Sequence, residues 1–148
     1  MDVIIGIDLG TTRCVIAHDA GDGAPVVISA EDGSSYTPSV VHFDGERWEV
    51  GVGAALMAPV DPDSTVVGIK REMGEDTAMS FGDEEYGPEG ISGIILRHLA
   101  DLAEAELGRG RVRAVITVPA YFGAAEREAT RSAARIAGID CLGLLAEP

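Results

Sequence analysis

Positive charge is scarce in this chain of 148 residues, which has 11 lysine and arginine residues against 25 aspartate and glutamate residues and a formal net charge of −14. Such an acidic surface repels phosphate backbones and offers no basic stripe for counterion release, so we expect no nucleic-acid partner. No apolar run is long enough to span a membrane, and the N-terminus has no basic segment followed by an apolar one and a cleavage site. We therefore expect a cytoplasmic protein without a membrane partner.

Cysteine and histidine are also few. Cys14 and Cys141 both lie in apolar surroundings, where reduced thiols are commoner than a bridge in a cytosolic chain. The three histidines share no ligand spacing with these cysteines, so no zinc site is predicted. The 46% hydrophobic content is enough for one core of ordinary size, which predicts a single domain with at most a small lobe attached.

The most informative stretch is VIIGIDLGTTRCVIAH, residues Val3–His18. Its first apolar run is too short and too β-branched for a helix and predicts a strand buried on both faces. A second strand, Arg13–Ala17, follows after only Gly10, Thr11 and Thr12, so the two strands must pair antiparallel. The glycine can adopt a positive φ that lets backbone N–H groups converge, and such a turn is a ready cradle for an anion.

One carboxylate is expected at the mouth of this cradle. The period of two along a strand places Asp8 on the face opposite Ile7 and Leu9. A carboxylate beside a phosphate site needs a cation between them, and Mg²⁺ held through water suits this because it dehydrates reluctantly and takes few protein ligands. The same residues would also fit a tight hairpin with an exposed aspartate.

Periodicity and turn residues predict further strands and helices along the chain. The predicted elements are strands Pro25–Ser29, Pro38–Phe43 and Arg47–Val50, a helical turn Gly53–Ala58, a short helix from about Asp61 to Met73, a connection Glu75–Gly87 with little structure, a helix from Pro88 to Gly108, a strand Val112–Val118, a helix Gly123–Ala137 and a strand Cys141–Leu145. Three strands followed by α-β-α-β form the ribonuclease H-like layout, in which the last two strands extend the first sheet.

The string IGIDLGTT is similar to the first phosphate motif of the DnaK-type, seventy-kilodalton heat-shock chaperone ATPases, which belong to the actin and sugar-kinase superfamily. Four later blocks resemble successive blocks of the same ATPase domain in the same order: TPSVV at 37–41, IKREMG at 69–74, AVITVPAYF at 114–122 and RIAG at 135–138. The resemblance covers essentially the whole chain and corresponds to the N-terminal half of that domain.

The resemblance implies an α/β fold, a ribonuclease H-like or actin-like ATPase lobe with a mixed five-stranded sheet and helices. It implies a core formed by residues 1–37 and 110–148 and a smaller inserted subdomain at about 38–109. The connection from Gly74 to Pro88 is much shorter than the family's, so the inserted subdomain is expected to be trimmed.

The resemblance also implies ATP or ADP with Mg²⁺ as cofactors. Asp8 would hold the metal through water, and Gly10, Thr11 and Thr12 would contact the β- and γ-phosphates. Arg13 stands where the family usually has asparagine and places an extra cation at the end of the phosphate turn.

Four residues outside the turn also match functional positions of the family. Lys70 matches the lysine that reaches over the γ-phosphate, and Glu147 matches a carboxylate near the attacking water and metal, so Lys70, Glu147 and Asp8 are the implied catalytic residues. Pro119 and Arg127 match positions that relay nucleotide state to the substrate-binding domain.

The implied function is the first lobe of an ATP-hydrolysing chaperone, whose partners are nucleotide, unfolded peptide and co-chaperones. The second phosphate motif and the adenosine pocket are absent up to Pro148, so we expect this chain alone to bind nucleotide feebly and to hydrolyse it negligibly. The alternatives are another phosphotransferase of the superfamily and a non-catalytic interaction module that keeps the fold as a scaffold. A ribonuclease H-type nuclease is disfavoured by the incomplete acidic cluster and the overall charge.

Overall fold

The computed structural model describes all residues, 1–148, as eleven strands, three α-helices and two short 3₁₀ helices. In chain order these are β1 Asp2–Leu9, β2 Arg13–Asp19, β3 Pro25–Ile28, β4 Thr37–Pro38, β5 Val40–Phe43, β6 Trp48–Val50, α1 Val52–Met57, a 3₁₀ helix Pro62–Ser64, β7 Thr65–Val67, a 3₁₀ helix Ile69–Glu72, β8 Met79–Phe81, β9 Glu84–Tyr86, α2 Pro88–Leu107, β10 Arg111–Val118, α3 Ala124–Ile136 and β11 Asp140–Ala146.

A mixed sheet organises the fold. Its strand order is β11-β10-β1-β2-β3, and β4 pairs with the first two residues of β2, whereas β3 pairs with the later ones. β1 runs parallel to β10 and antiparallel to β2, while β10 and β11 are parallel. Parallel neighbours are what crossover helices produce, so the last two strands extend the first sheet as predicted. The predicted α/β class with a mixed sheet is confirmed.

The two long helices contribute to the same hydrophobic core as one face of the sheet. Along β1, Val3 and Ile5 are buried on that face, whereas Ile4 between them is 56% exposed. The prediction that β1 is buried on both faces is therefore wrong. β-branched residues suit a pleated strand whether or not its second face is covered, so their presence did not distinguish the two cases.

Helices α2 and α3 pack closely against each other. A Cβ added to Gly93 of α2 would lie 2.8 Å from Cγ2 of Ile136, so only glycine allows this approach. The α2 helix begins at Pro88 and ends before Gly108, as its apolar stripe and its flanking residues predicted. No helix of the protein combines the length and the apolar character needed to cross a membrane.

A smaller sheet is formed by three strands that follow β4 in the sequence and precede α2. Its central strand, β5, pairs with β6 on one side and with β7 on the other. The predicted helix from about Asp61 to Met73 is wrong, because the β-branched residues of Thr65–Val67 pair with β5 instead. Gly68 follows with a φ of 70° and separates β7 from the 3₁₀ helix Ile69–Glu72.

The connection Glu75–Gly87 is not unstructured, since β8 and β9 form a hairpin within it. Phe81 of this hairpin lies 4.9 Å from the ring of Trp48, and Tyr86 lies 5.2 Å from the same ring, both measured between centroids. Phe43 completes this aromatic cluster at 5.1 Å from Trp48. Edge-to-face packing of this kind stabilises a hairpin whose own strands are too short to be stable alone. The boundaries proposed for a core and an inserted subdomain remain a prediction.

Candidate functional site

The turn between β1 and β2 contains Gly10, Thr11 and Thr12, and the two strands pair up to Leu9 opposite Cys14. Gly10 does not have the positive φ that the sequence led us to expect. Glycine is needed here for a different reason, because a Cβ at this position would overlap the carbonyl oxygen of Arg13. The tightness of the hairpin, rather than a left-handed backbone, therefore requires the glycine.

The turn leaves two backbone donors without partners. Thr11 is half-buried and Thr12 is exposed, and neither of their amides donates a hydrogen bond to another protein atom. Adjacent free N–H groups in a glycine-containing turn form a concave site suited to an anion. The donors present therefore fit a phosphate group.

Ser39 supports this turn from the interior. It is 3% exposed and follows β4 in the TPSVV block, at the point where the predicted strand Pro38–Phe43 is divided between two sheets. Its hydroxyl donates to the carbonyl of Gly10 at 2.8 Å, and its amide donates to the carbonyl of Thr12 at 2.9 Å. The thiol of Cys14 lies 3.1 Å from the same hydroxyl. The sequence analysis missed Ser39 as a site residue.

Asp8 stands on the exposed face of β1 beside the turn, where the alternation of side chains predicted it. The hydroxyl of Thr117 on β10 donates to its Oδ1 at 2.9 Å, and Oδ2 receives no hydrogen bond from the protein. A carboxylate fixed at one oxygen and free at the other suits a metal ion held through water. Thr117 was also missed, because its contact follows from the register that pairs Ile7 with Ile116.

Lys70 and Glu147 are brought together although 77 positions separate them in the sequence. The Nζ atom of Lys70 lies 3.0 Å from Oε1 of Glu147, and Lys70 is only 8% exposed. The amide of Glu147 donates to the carbonyl of Val118 at 2.7 Å, which anchors the carboxylate at the end of β10. Two of the three catalytic residues that the resemblance implied thus form a partly buried ion pair.

The segment that carries Lys70 is adjacent to the turn between β1 and β2. A Cβ placed on Gly68 would lie 3.9 Å from Cγ2 of Thr11, so the backbone before the lysine approaches the turn closely. Lys70 is also the only lysine in a chain that otherwise uses ten arginines for its positive charge. A single lysine at a buried position matches a role in which a compact ammonium is required.

Burial raises the pKa of the Cys14 thiol above its ordinary value of 9.0. The charges of Asp8 and Lys70 both act on this thiol, with opposite effects. Cys14 therefore lies beside the turn as a buried, protonated thiol.

The remaining residues proposed from the sequence lie outside this group. The guanidinium of Arg13 stacks on Tyr36, with Cζ 4.4 Å from the ring centroid. In the loop after β10, the amide of Phe122 donates to the carbonyl of Pro119 at 3.0 Å. Nε of Arg127 donates to the carbonyl of Phe122 at 3.0 Å. Phe122 thus links Pro119 in the loop to Arg127 in the first turn of α3, and no hydrogen bond or ion pair joins these two residues to Asp8 or Lys70.

The mixed sheet with helices defines an α/β protein compatible with an actin-like ATPase lobe. The family model described as Hsp70 protein matches residues 4–81 and 76–148. The chain therefore belongs to the Hsp70 family, a family of chaperone ATPases, and is consistent with a fragment of its nucleotide-binding domain. The resemblance to the seventy-kilodalton heat-shock proteins that the motifs indicated is confirmed.

Proposed function

We propose that this chain is the first lobe of the nucleotide-binding domain of an ATP-hydrolysing chaperone and that it supplies the phosphate, Mg²⁺ and lysine contacts. The observation that carries the proposal is the convergence of two distant segments on one turn. Lys70 pairs with Glu147 at 3.0 Å, and the backbone at Gly68 lies against Thr11 of the turn with free amides.

Gly10, Thr11, Thr12 and Arg13 are the proposed phosphate contacts. The free amides of the two threonines support this role because they give directed donors to β- and γ-phosphate oxygens. The guanidinium of Arg13 would add positive charge at the edge of the turn, at the distance set by its stacking on Tyr36.

Asp8 is the proposed ligand position for Mg²⁺, through water. The hydrogen bond from Thr117 supports this role by fixing one carboxylate oxygen and leaving the other for a hydrated cation. When bound, Mg²⁺ would screen the negative charge of the phosphates from the carboxylate of Asp8 and from that of Glu147.

Lys70 and Glu147 are the proposed catalytic pair, with Asp8. Phosphoryl transfer to water asks the protein mainly for positioning and for charge stabilisation. The ammonium of Lys70 would stabilise charge that develops on the transferred phosphoryl group. Glu147 would hold the ammonium in place and orient the attacking water. The low exposure of Lys70 supports this role, because an ammonium acts more strongly where water is excluded.

Several broader assignments belong to the same proposal. Residues 1–37 and 110–148 would form the core and residues at about 38–109 the inserted subdomain. Pro119 and Arg127 would transmit nucleotide state to a substrate-binding domain, and the hydrogen bonds that join both to Phe122 support a common role. Unfolded peptide and co-chaperones are the proposed partners of the whole protein, in the cytoplasm.

The half-site is tested by titrating Mg-ATP onto the 148-residue chain in a calorimeter. We expect a dissociation constant of about 1 mM or weaker, because one lobe leaves the base and ribose in water. Submicromolar binding would refute the half-site.

The catalytic role is tested by Lys70→Ala in the longer polypeptide that the proposal requires. We expect kcat for ATP hydrolysis to fall by about 100-fold or more, as when one preorganised charge is removed from a transition state. Arg109→Ala removes an exposed cation from the loop after α2 and is the matched control. Unchanged turnover in Lys70→Ala would favour a non-catalytic scaffold.

A further inference from the structure

The hydrogen bonds of Ser39 fix the orientation of two peptide groups in the turn. The hydroxyl holds the carbonyl of Gly10, and the amide holds the carbonyl of Thr12. The carbonyl of Gly10 therefore points toward the buried side of the hairpin, where Ser39 is 3% exposed. No other residue donates hydrogen bonds to two carbonyls of this turn.

The direction of a carbonyl also fixes the direction of the amide that follows it. In a trans peptide the C=O and N–H bonds point to opposite sides, and the protein has no cis peptide bond. With the carbonyl of Gly10 held inward, the N–H of Thr11 faces outward. The carbonyl of Thr12 accepts from the backbone amide of Ser39 beside the pairing of β4 with β2, and this bond holds Ser39 in place next to the turn.

Cys14 completes this arrangement by fixing the proton of the serine hydroxyl. Ser39 uses its hydroxyl proton on the carbonyl of Gly10, so the contact at 3.1 Å with Sγ of Cys14 must have the thiol as donor. The raised pKa of the buried thiol keeps that proton in place at neutral pH. The chain of donors therefore runs from Cys14 to Ser39 to Gly10.

We propose that Ser39 is a positioning residue for the turn between β1 and β2: its hydroxyl holds the carbonyl of Gly10 inward and so directs the amide of Thr11 toward a polyphosphate. This inference rests on the proposed function for its ligand, but the peptide orientation itself can be tested without one. Ser39 acts through the backbone of the turn and does not itself touch the phosphate.

The orientation is tested by NMR of the 148-residue chain without ligand. Ser39→Ala removes the hydrogen bond to Gly10, so the carbonyl ¹³C resonance of Gly10 should move upfield, as carbonyls do when they lose a donor. Thr130→Val is the matched control, since it removes a hydroxyl that is 2% exposed and bonded to a carbonyl within α3. An unchanged Gly10 resonance in Ser39→Ala would overturn the inference.

The ligand role is tested by titrating tripolyphosphate with Mg²⁺ onto the ¹⁵N-labelled chain. We expect the amide protons of Thr11 and Thr12 to shift most, and Ser39→Ala to weaken binding by about tenfold, the effect of one lost buried hydrogen bond. Ser39→Thr keeps the hydroxyl and should restore binding to within about threefold of the wild type. Thr130→Val should bind as the wild type does. Equal affinity in Ser39→Ala and the wild type would overturn the positioning role.

Two further results separate this inference from the proposed function. If the wild-type chain and the longer polypeptide both fail to bind tripolyphosphate or Mg-ATP, the proposed function fails, whereas the Gly10 carbonyl still decides the orientation. If Ser39→Ala does not fold, Cys14→Ala removes the donor to Ser39 and should weaken tripolyphosphate binding by about threefold. Unchanged binding in Cys14→Ala would then count against the chain of donors.

Discussion

The main sheet and the smaller sheet are built on different principles, although both contribute to the site. Strands β1 and β10 each have eight residues and alternate between buried and exposed side chains. Strands β6 and β7 have three residues each, and the region around them depends on the aromatic cluster of Phe43, Trp48, Phe81 and Tyr86. The main sheet supplies the turn between β1 and β2, whereas the smaller sheet leads into the segment with Lys70. The lysine is therefore positioned by tertiary contacts more than by its local sequence.

Removal of one aromatic side chain should produce the largest difference in stability between the two regions. Phe81→Ala leaves a cavity beside Trp48 and should destabilise the smaller region by about 3 kcal/mol. Trp48 is the only tryptophan, so its fluorescence follows that region while far-UV circular dichroism follows the whole chain. In denaturant, the fluorescence transition of the variant should precede the dichroism transition.

Phe122→Ala is the matched control for this experiment, because Phe122 and Phe81 are both 8% exposed and Phe122 belongs to the loop after β10. It should lower the stability of the main sheet and move both transitions. Coincident transitions in Phe81→Ala would show that the chain unfolds as one unit and would remove the distinction between the two regions.

The sequence predicted the long periodic elements better than the short ones for a physical reason. β1, β10, α2 and α3 each bury one face over several periods, so their own residues indicate their structure. β7 and the β8–β9 hairpin form because a partner strand or Trp48 is present, and no local pattern contains that partner.

The same limit applies to the site. Asp8, the turn and Lys70 could be placed from motifs, because each lies in a contiguous string of characteristic residues. Thr117 and Ser39 could not, because their contacts depend on strand register and on the path of the chain after β4. The glycine of the turn was identified, but its reason was wrong, since the close approach of Arg13 could not be read from composition.

The ion pair between Lys70 and Glu147 joins the two regions. Its removal should lower the stability of the chain by less than the removal of Phe81 does. Glu147→Gln leaves the ammonium of Lys70, which is 8% exposed, without its carboxylate. Because the Glu147 side chain is 36% exposed, we expect a loss of about 1 to 2 kcal/mol, less than for a fully buried pair. Thermal unfolding measures this loss.

Asp101→Asn breaks a pair with Arg97 in which both side chains are more exposed, at 68% and 40%, and is the matched control for Glu147→Gln. It should cost less than about 0.5 kcal/mol. An equal cost for the two variants would show that the pair between the regions does no more than an ordinary surface pair.

The Cys14 thiol under the turn should have the smallest effect on stability, and this effect appears only in alkaline solution. It tests whether the main sheet keeps the thiol away from solvent. Burial raises the pKa of Cys14 above 9.0, so the folded chain keeps a proton that the unfolded chain loses in alkaline solution. Stability from this group is full below about pH 8.5 and decreases as the pH rises, by at most about 1.4 kcal/mol per pH unit. Chemical denaturation between pH 8 and pH 10 should therefore show a slope that Cys14→Ala reduces. Cys141→Ser, at the half-buried second cysteine, should keep the slope of the wild type. If Cys14→Ala kept that slope as well, the site under the turn would open to solvent easily enough for the thiol to ionise in the folded protein.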